Sequence, residues 1–378
     1  MPAMTLTDDQ RMLQDSVAPL MAEDGSIKKQ LRHWRDSGCQ DGFGHALWKQ
    51  FAELGLTGIL IPEAQGGAGL GMVEAGVVME EVGRNLTPSP FLTTAVAAVR
   101  ALEGSGQAER WFPKIVAGDT VAALAIDEGK HHDPRHIACE AKRSGNGFAL
   151  SGSKQFVVHG ASADLILVAA RTAGAVGESD GVTLFAVERG AKGLAVDNVT
   201  LADASKAARL TLDNVEVDAD AVVGEVDGGW APRSRALAAG RTGAAAELVG
   251  VAAGAAAMTF DYLKQRKQFG RLIGEFQALQ HRAAHLSGEI EIARAATLKA
   301  AQLLDAGDER AELYVSVAKA KAARTSALAV QEGIQIHGGI GMTDEHDIGL
   351  YMKREAVLSE WLGSPRFHSA RVAELSGY

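Results

Sequence analysis

Cysteine is nearly missing from this chain of 378 residues: Cys39 and Cys139 are the only two. Their spacing matches no zinc or redox motif, and a reduced, cytoplasmic setting is the expectation. A basic block is missing as well. Net charge is −9, which argues against nucleic acid as a partner, because phosphate binding needs a basic face. No apolar run reads as long enough to span a bilayer, and Met1 to Gln10 lack the basic-then-apolar order of a secretion signal. The common catalytic signatures are absent too, with no G-x-S-x-G elbow, H-E-x-x-H or P-loop. The glycines at Gly66–Gly71 and Gly338–Gly341 fit no G-x-G-x-x-G register and have no βαβ context, which disfavours a Rossmann nicotinamide enzyme. Aromatics make up only 5%, against 47% hydrophobic and 22% charged residues. That composition suits a globular chain of two or three domains with a large core.

What is present changes character along the chain. The first ~120 residues read as helices broken by loops. Thr7 can cap a helix from Asp8 toward Ala22, and a second helical pattern holds Leu47, Phe51 and Leu54. Ile59-Leu-Ile-Pro62 reads as a short extended run before the glycine-rich Gln65–Gly71, and another helix passes through Val77, Val78, Glu81 and Val82. From about Val121 the period shortens. Phe148–Gly152, Gln155–His159, Leu165–Ala170, Val182–Val187, Leu194–Val199 and Arg209–Val217 are β-prone runs separated by Gly, Ser and Asp, a spacing that suggests an antiparallel barrel or sandwich. After Trp230 helices return. Leu237, Arg241, Ala244, Leu248, Val251, Ala255, Met258 and Tyr262 form one face; Leu279 to Leu304 and Val315 to Ala329 make two more helices, and a fourth begins near Glu345. The fold class is therefore α+β and multidomain: an N-terminal helical domain (1–118), a middle antiparallel β-barrel (119–226) and a C-terminal four-helix bundle (227–378).

Two segments carry chemistry. Tyr262–Gln280 is a helix end followed by a basic loop in which Arg266, Lys267 and Arg271 cluster. Guanidinium groups match pyrophosphate oxygens in a bidentate way, although cations also simply offset a helix C-terminus. Gln335–Gly341 brings glycines after a helix, which allow backbone N–H groups to approach an anion or a flat ring; alone, such a pair is equally a helix cap. His131, His132 and His136, with Asp133, lie in a polar loop better suited to facing water than to holding a metal.

Arg266-Lys-Gln-Phe-Gly and Gln335-Ile-His-Gly-Gly-Ile-Gly, in this order and at this separation, resemble the acyl-CoA dehydrogenase family. Ile61-Pro-Glu-Ala-Gln-Gly-Gly-Ala-Gly-Leu-Gly resembles that family's "PEEYGGxGLG" segment, and Ser151-Gly-Ser-Lys-Gln-Phe its "ingxKxW" strand. The resemblance covers most of the chain. It implies FAD, an acyl-CoA substrate dehydrogenated at its α,β bond, an electron-transfer flavoprotein or similar acceptor, and a homo- or heterotetramer. It places Arg266, Phe269 and Gln277 at the FAD of a neighbouring subunit, Gln335, Gly338 and Gly339 at the same nucleotide across the interface, Phe156 and Val158 against the isoalloxazine, and Arg241 near the acyl-CoA.

The chain also departs from that pattern. The family's catalytic glutamate position falls on Leu362, which accepts no proton. The alternative position, immediately before Arg241, is Gly240. No catalytic residue can be named from sequence; Glu360 and Glu247 are off register as substitutes and read as solvated helical residues. The "TEPGAGSD" loop is replaced around Ile126–Asp133, and the usual Trp and Thr of the next strand are Phe156 and Val158. Gly341-Met-Thr-Asp-Glu-His-Asp-Ile-Gly-Leu-Tyr-Met-Lys-Arg resembles a bacterial branch that includes subunits of α2β2 heterotetramers acting on steroid side-chain CoA thioesters. Three functions follow: a dehydrogenase subunit, a non-catalytic or partner-dependent subunit, or a flavin monooxygenase or oxidase on the same fold.

Overall fold

The computed structural model describes residues 4–378. In chain order its first helices are α1 (Asp8–Glu23), α2 (His33–Asp36), α3 (His45–Glu53), α4 (Met72–Arg84), α5 (Val99–Leu102) and α6 (Gly106–Val116). Seven strands follow: β1 (Ala122–Ala125), β2 (Glu140–Ser144), β3 (Gly147–Val158), β4 (Leu165–Arg171), β5 (Val182–Glu188), β6 (Leu194–Thr200) and β7 (Lys206–Val217). The C-terminal part contains α7 (Trp230–Gln265), the hairpin β8 (Lys267–Gln268) and β9 (Arg271–Leu272), then α8 (Gln277–Asp305), α9 (Ala311–His337), α10 (Ile348–Glu360) and α11 (Pro365–Leu375). Packing groups these elements into two units. One holds residues up to His33, Met72–Pro88 and Arg241–Tyr378; the other holds Trp34–Gly71 and Ser89–Gly240.

Local chemistry sets the element ends in the first unit. Thr7 and Gln10 form a reciprocal capping box at the start of α1: the Gln10 N–H donates to Thr7 Oγ1 (3.3 Å) and the Thr7 N–H to Gln10 Oε1 (2.9 Å). The first turn of α4 is capped from a distance. Asp305, the last residue of α8, accepts from the N–H groups of Met72 (2.6 Å) and Val73 (3.2 Å), satisfying donors that have no partner inside the helix. The core gathers Val251 and Ala255 of α7, Leu286 of α8, Ala329 of α9 and Tyr351 of α10. A fifth helix, α11, extends the expected four; Ser364 caps it and Pro365 opens it. By length and composition α7 could cross a membrane, contrary to the expectation that no run could; its apolar stretch is mostly buried within the protein.

The second unit carries the sheet, in the order β1-β4-β2-β3-β7-β6 with β5 also pairing β4. Pairing is mixed rather than wholly antiparallel: β1 runs parallel to β4, and β2 meets β4 in parallel at Glu140 and Arg171. Phe148–Gly152 and Gln155–His159, which look like two strands in sequence, are largely one, β3, interrupted by register shifts at Leu150/Gly152 and Lys154/Val157. The extended run expected at Ile59–Ile61 is instead a buried turn, in which the Ile61 N–H donates to Gly58 O (3.0 Å) and the Leu70 N–H to Ile59 O (2.9 Å). Three apolar residues in a row cannot be told from a strand by pattern alone.

Two glycines let α4 and α7 touch backbone to backbone. A Cβ on Gly250 would collide with the Glu80 carbonyl, and one on Gly83 with the Glu247 carbonyl. Gly250→Ala therefore forces the two helices apart, and urea denaturation is expected to show a loss of about 1–3 kcal/mol, the usual range for overpacking.

Candidate functional site

Beyond α7 the chain makes a tight hairpin. Phe269 and Gly270 both have positive φ, 54° and 80°, as a two-residue primed turn requires. The turn thrusts Phe269 outward, leaving it 92% exposed, while Arg271 stacks its guanidinium 4.0 Å from the Phe276 ring centre. Arg266 and Gln277 are also exposed, and Arg266 makes no ion pair among the described residues.

At the end of α9, Gln335 faces outward in the last helical turn rather than after the helix. Gly338 follows with φ 64° and ψ −137°, and a Cβ on Gly338 or Gly339 would meet open space. Buried His337 lies between Tyr262 and His346, with ring centres 4.4 and 4.3 Å away. Its Nδ1 is 2.7 Å from the Gly333 carbonyl, which requires the proton on that nitrogen. Burial holds the imidazole below its ordinary pKa, and Nε2 has no partner among the described residues. The first unit thus holds the arginine, the aromatic and the glycine turn named from sequence.

In the second unit, the Lys154/Val157 register shift gives Phe156 a φ of 52° and turns its ring to the surface, 51% exposed, while Val158 stays buried. Bulges of this kind re-aim side chains. The loop before β2 is tied down rather than loose. Glu128 accepts from the N–H groups of Ala138 (2.7 Å) and Cys139 (3.0 Å) and from Lys154 Nζ (2.6 Å). Of the three imidazoles nearby, His132 turns inward to Asp127 (2.8 Å), whereas His131 and His136 are exposed. Sequence reasoning passed over the Glu128–Lys154 pair, although Lys154 stands inside the quoted Ser151–Phe156 motif.

The most constrained backbone surrounds Leu362. This buried residue has a φ of 61°, a left-handed conformation that a leucine adopts at a cost of roughly 1–2 kcal/mol. Its carbonyl accepts from Arg241 Nε (3.1 Å) and is 3.2 Å from His368 Nε2. Lys319 Nζ donates to the carbonyls of Leu358 (3.0 Å), Ser359 (3.0 Å) and Gly363 (3.3 Å). Arg241 therefore engages the turn that carries residue 362. Sequence reasoning missed Lys319 and His368. A signal for Lys319 existed: it is four residues past Val315, on the apolar face of α9.

Of the two substitute bases considered, Glu360 is exposed. Glu247 is not the solvated residue expected. It is 3% exposed and clamped by Arg354, whose Nε and Nη2 lie 2.7 and 2.5 Å from Oε1. Neither Leu362 nor Gly240 carries a side chain that accepts a proton, and Glu247 is held in an ion pair with Arg354. Glu247→Ala removes a buried carboxylate from the Arg354 guanidinium and is expected to lower stability by about 3 kcal/mol in chemical denaturation. A catalytic residue would lose activity without such a loss.

Comparison with known proteins agrees with this geometry. Models of the N-terminal, middle and C-terminal domains of acyl-CoA dehydrogenase match residues 7–119, 123–215 and 227–375. Cyclohex-1-ene-1-carbonyl-CoA dehydrogenase of Geobacter metallireducens is 31% identical over 319 residues, 82% of this chain and 83% of the relative. A variant of the Tcur3481-Tcur3483 steroid ACAD superposes with a TM-score of 0.88 at 31% identity, covering 98% of both chains. The ChsE4-ChsE5 complex of Mycobacterium tuberculosis gives 0.87 at 26% identity, covering 100% of both. With all three domain models matched in order along nearly its whole length, the chain belongs to the acyl-CoA dehydrogenase family.

Proposed function

We propose that this chain is a subunit of an FAD-dependent acyl-CoA dehydrogenase that binds flavin and orients an acyl-CoA thioester, and that the base for α,β-dehydrogenation comes from a partner subunit. The observation that carries this reading is the turn at Leu362. Arg241, Lys319 and His368 hold it as a catalytic support would be held, yet it presents a leucine. Two similar structures bear paired names, Tcur3481-Tcur3483 and the ChsE4-ChsE5 complex, which supports a heterotetramer. The steroid and cyclohexene acyl groups named for similar proteins put ring-bearing acyl-CoA thioesters first among the substrates. An electron-transfer flavoprotein is the acceptor we place with them. The domains proposed are residues 1–118, 119–226 and 227–378.

The residues present fit a flavin dinucleotide. Open space at Gly338 and Gly339 admits a group close to the backbone. Phe269 and Phe156 offer exposed rings, and Arg266 offers a guanidinium not committed to an ion pair. In this reading Arg266, Phe269, Gln277, Gln335, Gly338 and Gly339 hold the nucleotide, and Phe156 and Val158 flank the ring system. When bound, FAD supplies the acceptor for the β-hydride. Arg241 keeps the turn in register with the acyl group, and the buried Leu362 excludes water from the α-carbon without taking its proton.

Two measurements test the proposal. Arg266→Ala is expected to weaken FAD binding about tenfold, the effect of one charge-assisted hydrogen bond; unchanged flavin occupancy counts against the assignment. In anaerobic titration with a steroid CoA thioester, the flavin spectrum of the chain alone is expected to shift without bleaching. Leu362→Glu is expected to bleach it, because a buried carboxylate close to the α-carbon can serve as base. Full bleaching by the unaltered chain alone would show that it carries its own base.

A further inference from the structure

We propose that Lys319 is a positioning residue for the acyl site, a buried latch that holds the two ends of the Leu362 turn together and couples the opening of that turn to proton uptake. This rests on the dehydrogenase reading only in taking the turn to face the acyl group.

The geometry starts from unmet need. The last helical bond of α10 runs from the Trp361 N–H to Val357 O, so the carbonyls of Leu358 and Ser359 lie past the helical ladder. Gly363 O lies on the far side of the left-handed Leu362. Lys319 Nζ, fully buried, reaches all three. Protonated, Lys319 has three protons and no lone pair, one for each carbonyl; as the neutral amine it keeps two protons among the same three acceptors. A buried ammonium is tolerated only under such conditions. It also places positive charge at a helix C-terminus, where the dipole favours it. A single side chain on α9 thus bridges the residues before and after the strained position, while Arg241 and His368 grip the carbonyl of Leu362 itself. Strained backbone persists only where its surroundings overdetermine it, and Lys319 is the contact that spans the strain.

The charges around Lys319 come from each element packed on it. Arg241 of α7 opposes its charge, and Glu247 of α7 with Glu355 and Glu360 of α10 favour it. Arg354 of α10 is paired with Glu247, and His368 of α11 shares the Leu362 carbonyl. Burial, followed by Arg241, pushes the Lys319 amine down to about 7 from an ordinary 10.5. If the turn opens and Lys319 reaches water, the ordinary value returns. Between those two values the open state binds a proton that the closed state does not, so opening becomes less favourable as pH rises from 7 toward 10.5 and is insensitive to pH below 7. The slope approaches about tenfold in the opening equilibrium per pH unit.

The experiment is hydrogen exchange of residues 358–364 between pH 6.5 and 9, corrected for intrinsic rates, without flavin or acyl-CoA. The wild-type opening equilibrium is expected to fall with rising pH. In Lys319→Met, exchange at 358–364 is expected to rise tenfold or more at pH 7 relative to residues 248–256 of α7, and the pH slope to vanish. Lys319→Arg is expected to restore protection without the slope, since guanidinium does not titrate there. Wild-type-level protection in Lys319→Met, or the same slope, would overturn the proposal. If Lys319→Met does not fold, the wild-type profile and Glu355→Gln decide. Removing that carboxylate is expected to move the onset of the slope to lower pH, and a flat wild-type profile above pH 7 overturns the latch. A chain that shows the latch but binds no acyl-CoA overturns the dehydrogenase reading alone.

Discussion

Carbonyl oxygens at the end of a buried helix need donors, and in this protein buried nitrogen-bearing side chains supply them. Around the turn that ends α10, Lys319, Arg241 and His368 take up the carbonyls of Leu358, Ser359, Leu362 and Gly363. The left-handed leucine depends on that arrangement, because backbone strain of this kind relaxes unless several contacts oppose it. So does the placement of α11, whose N-cap Ser364 follows immediately after the turn. The helices of the first unit are therefore oriented around charged side chains as well as an apolar core. Glu247 with Arg354, and Glu80 with Arg294 and Arg84, extend the same device along α4, α7, α8 and α10.

That arrangement shapes the turn independently of the side chain it carries. The carbonyls that shape the turn belong to the backbone, and their cationic partners bind them whatever side chain stands at position 362. A leucine there is buried and accepts no proton. The residues we propose for flavin binding are set by separate features. Phe269, Gly338 and Gly339 owe their exposure to hairpin and helix-end geometry set by positive-φ positions, and Phe156 owes its own to a bulge in β3.

Much of the fold was legible in the chain. Helical periodicity marked α1, α3, α4 and α7 to α10, because each buries a continuous apolar face. The β runs were legible because alternation and turn residues bracket them. The arginine loop and the glycine turn were legible as family motifs, because their order and separation are read from the sequence itself. The failures share a cause. Ile59–Ile61 became a turn, two β runs merged into β3, and β1 paired in parallel, because hydrogen-bond partners far along the chain decide such matters and leave no local trace.

Local order of residues was thus enough for most helices and strands and for the family, because these depend on side-chain type and short-range spacing. Which charges meet was settled by folding. Lys319 reaches a turn some forty residues away, and Glu247 finds Arg354 107 residues on. Read singly, Lys319 drew no notice and Glu247 looked like a wet helical glutamate. Removal from water makes each partnership obligatory, since a buried charge without a partner costs several kcal/mol, and burial is a property of the packed chain and not of its order.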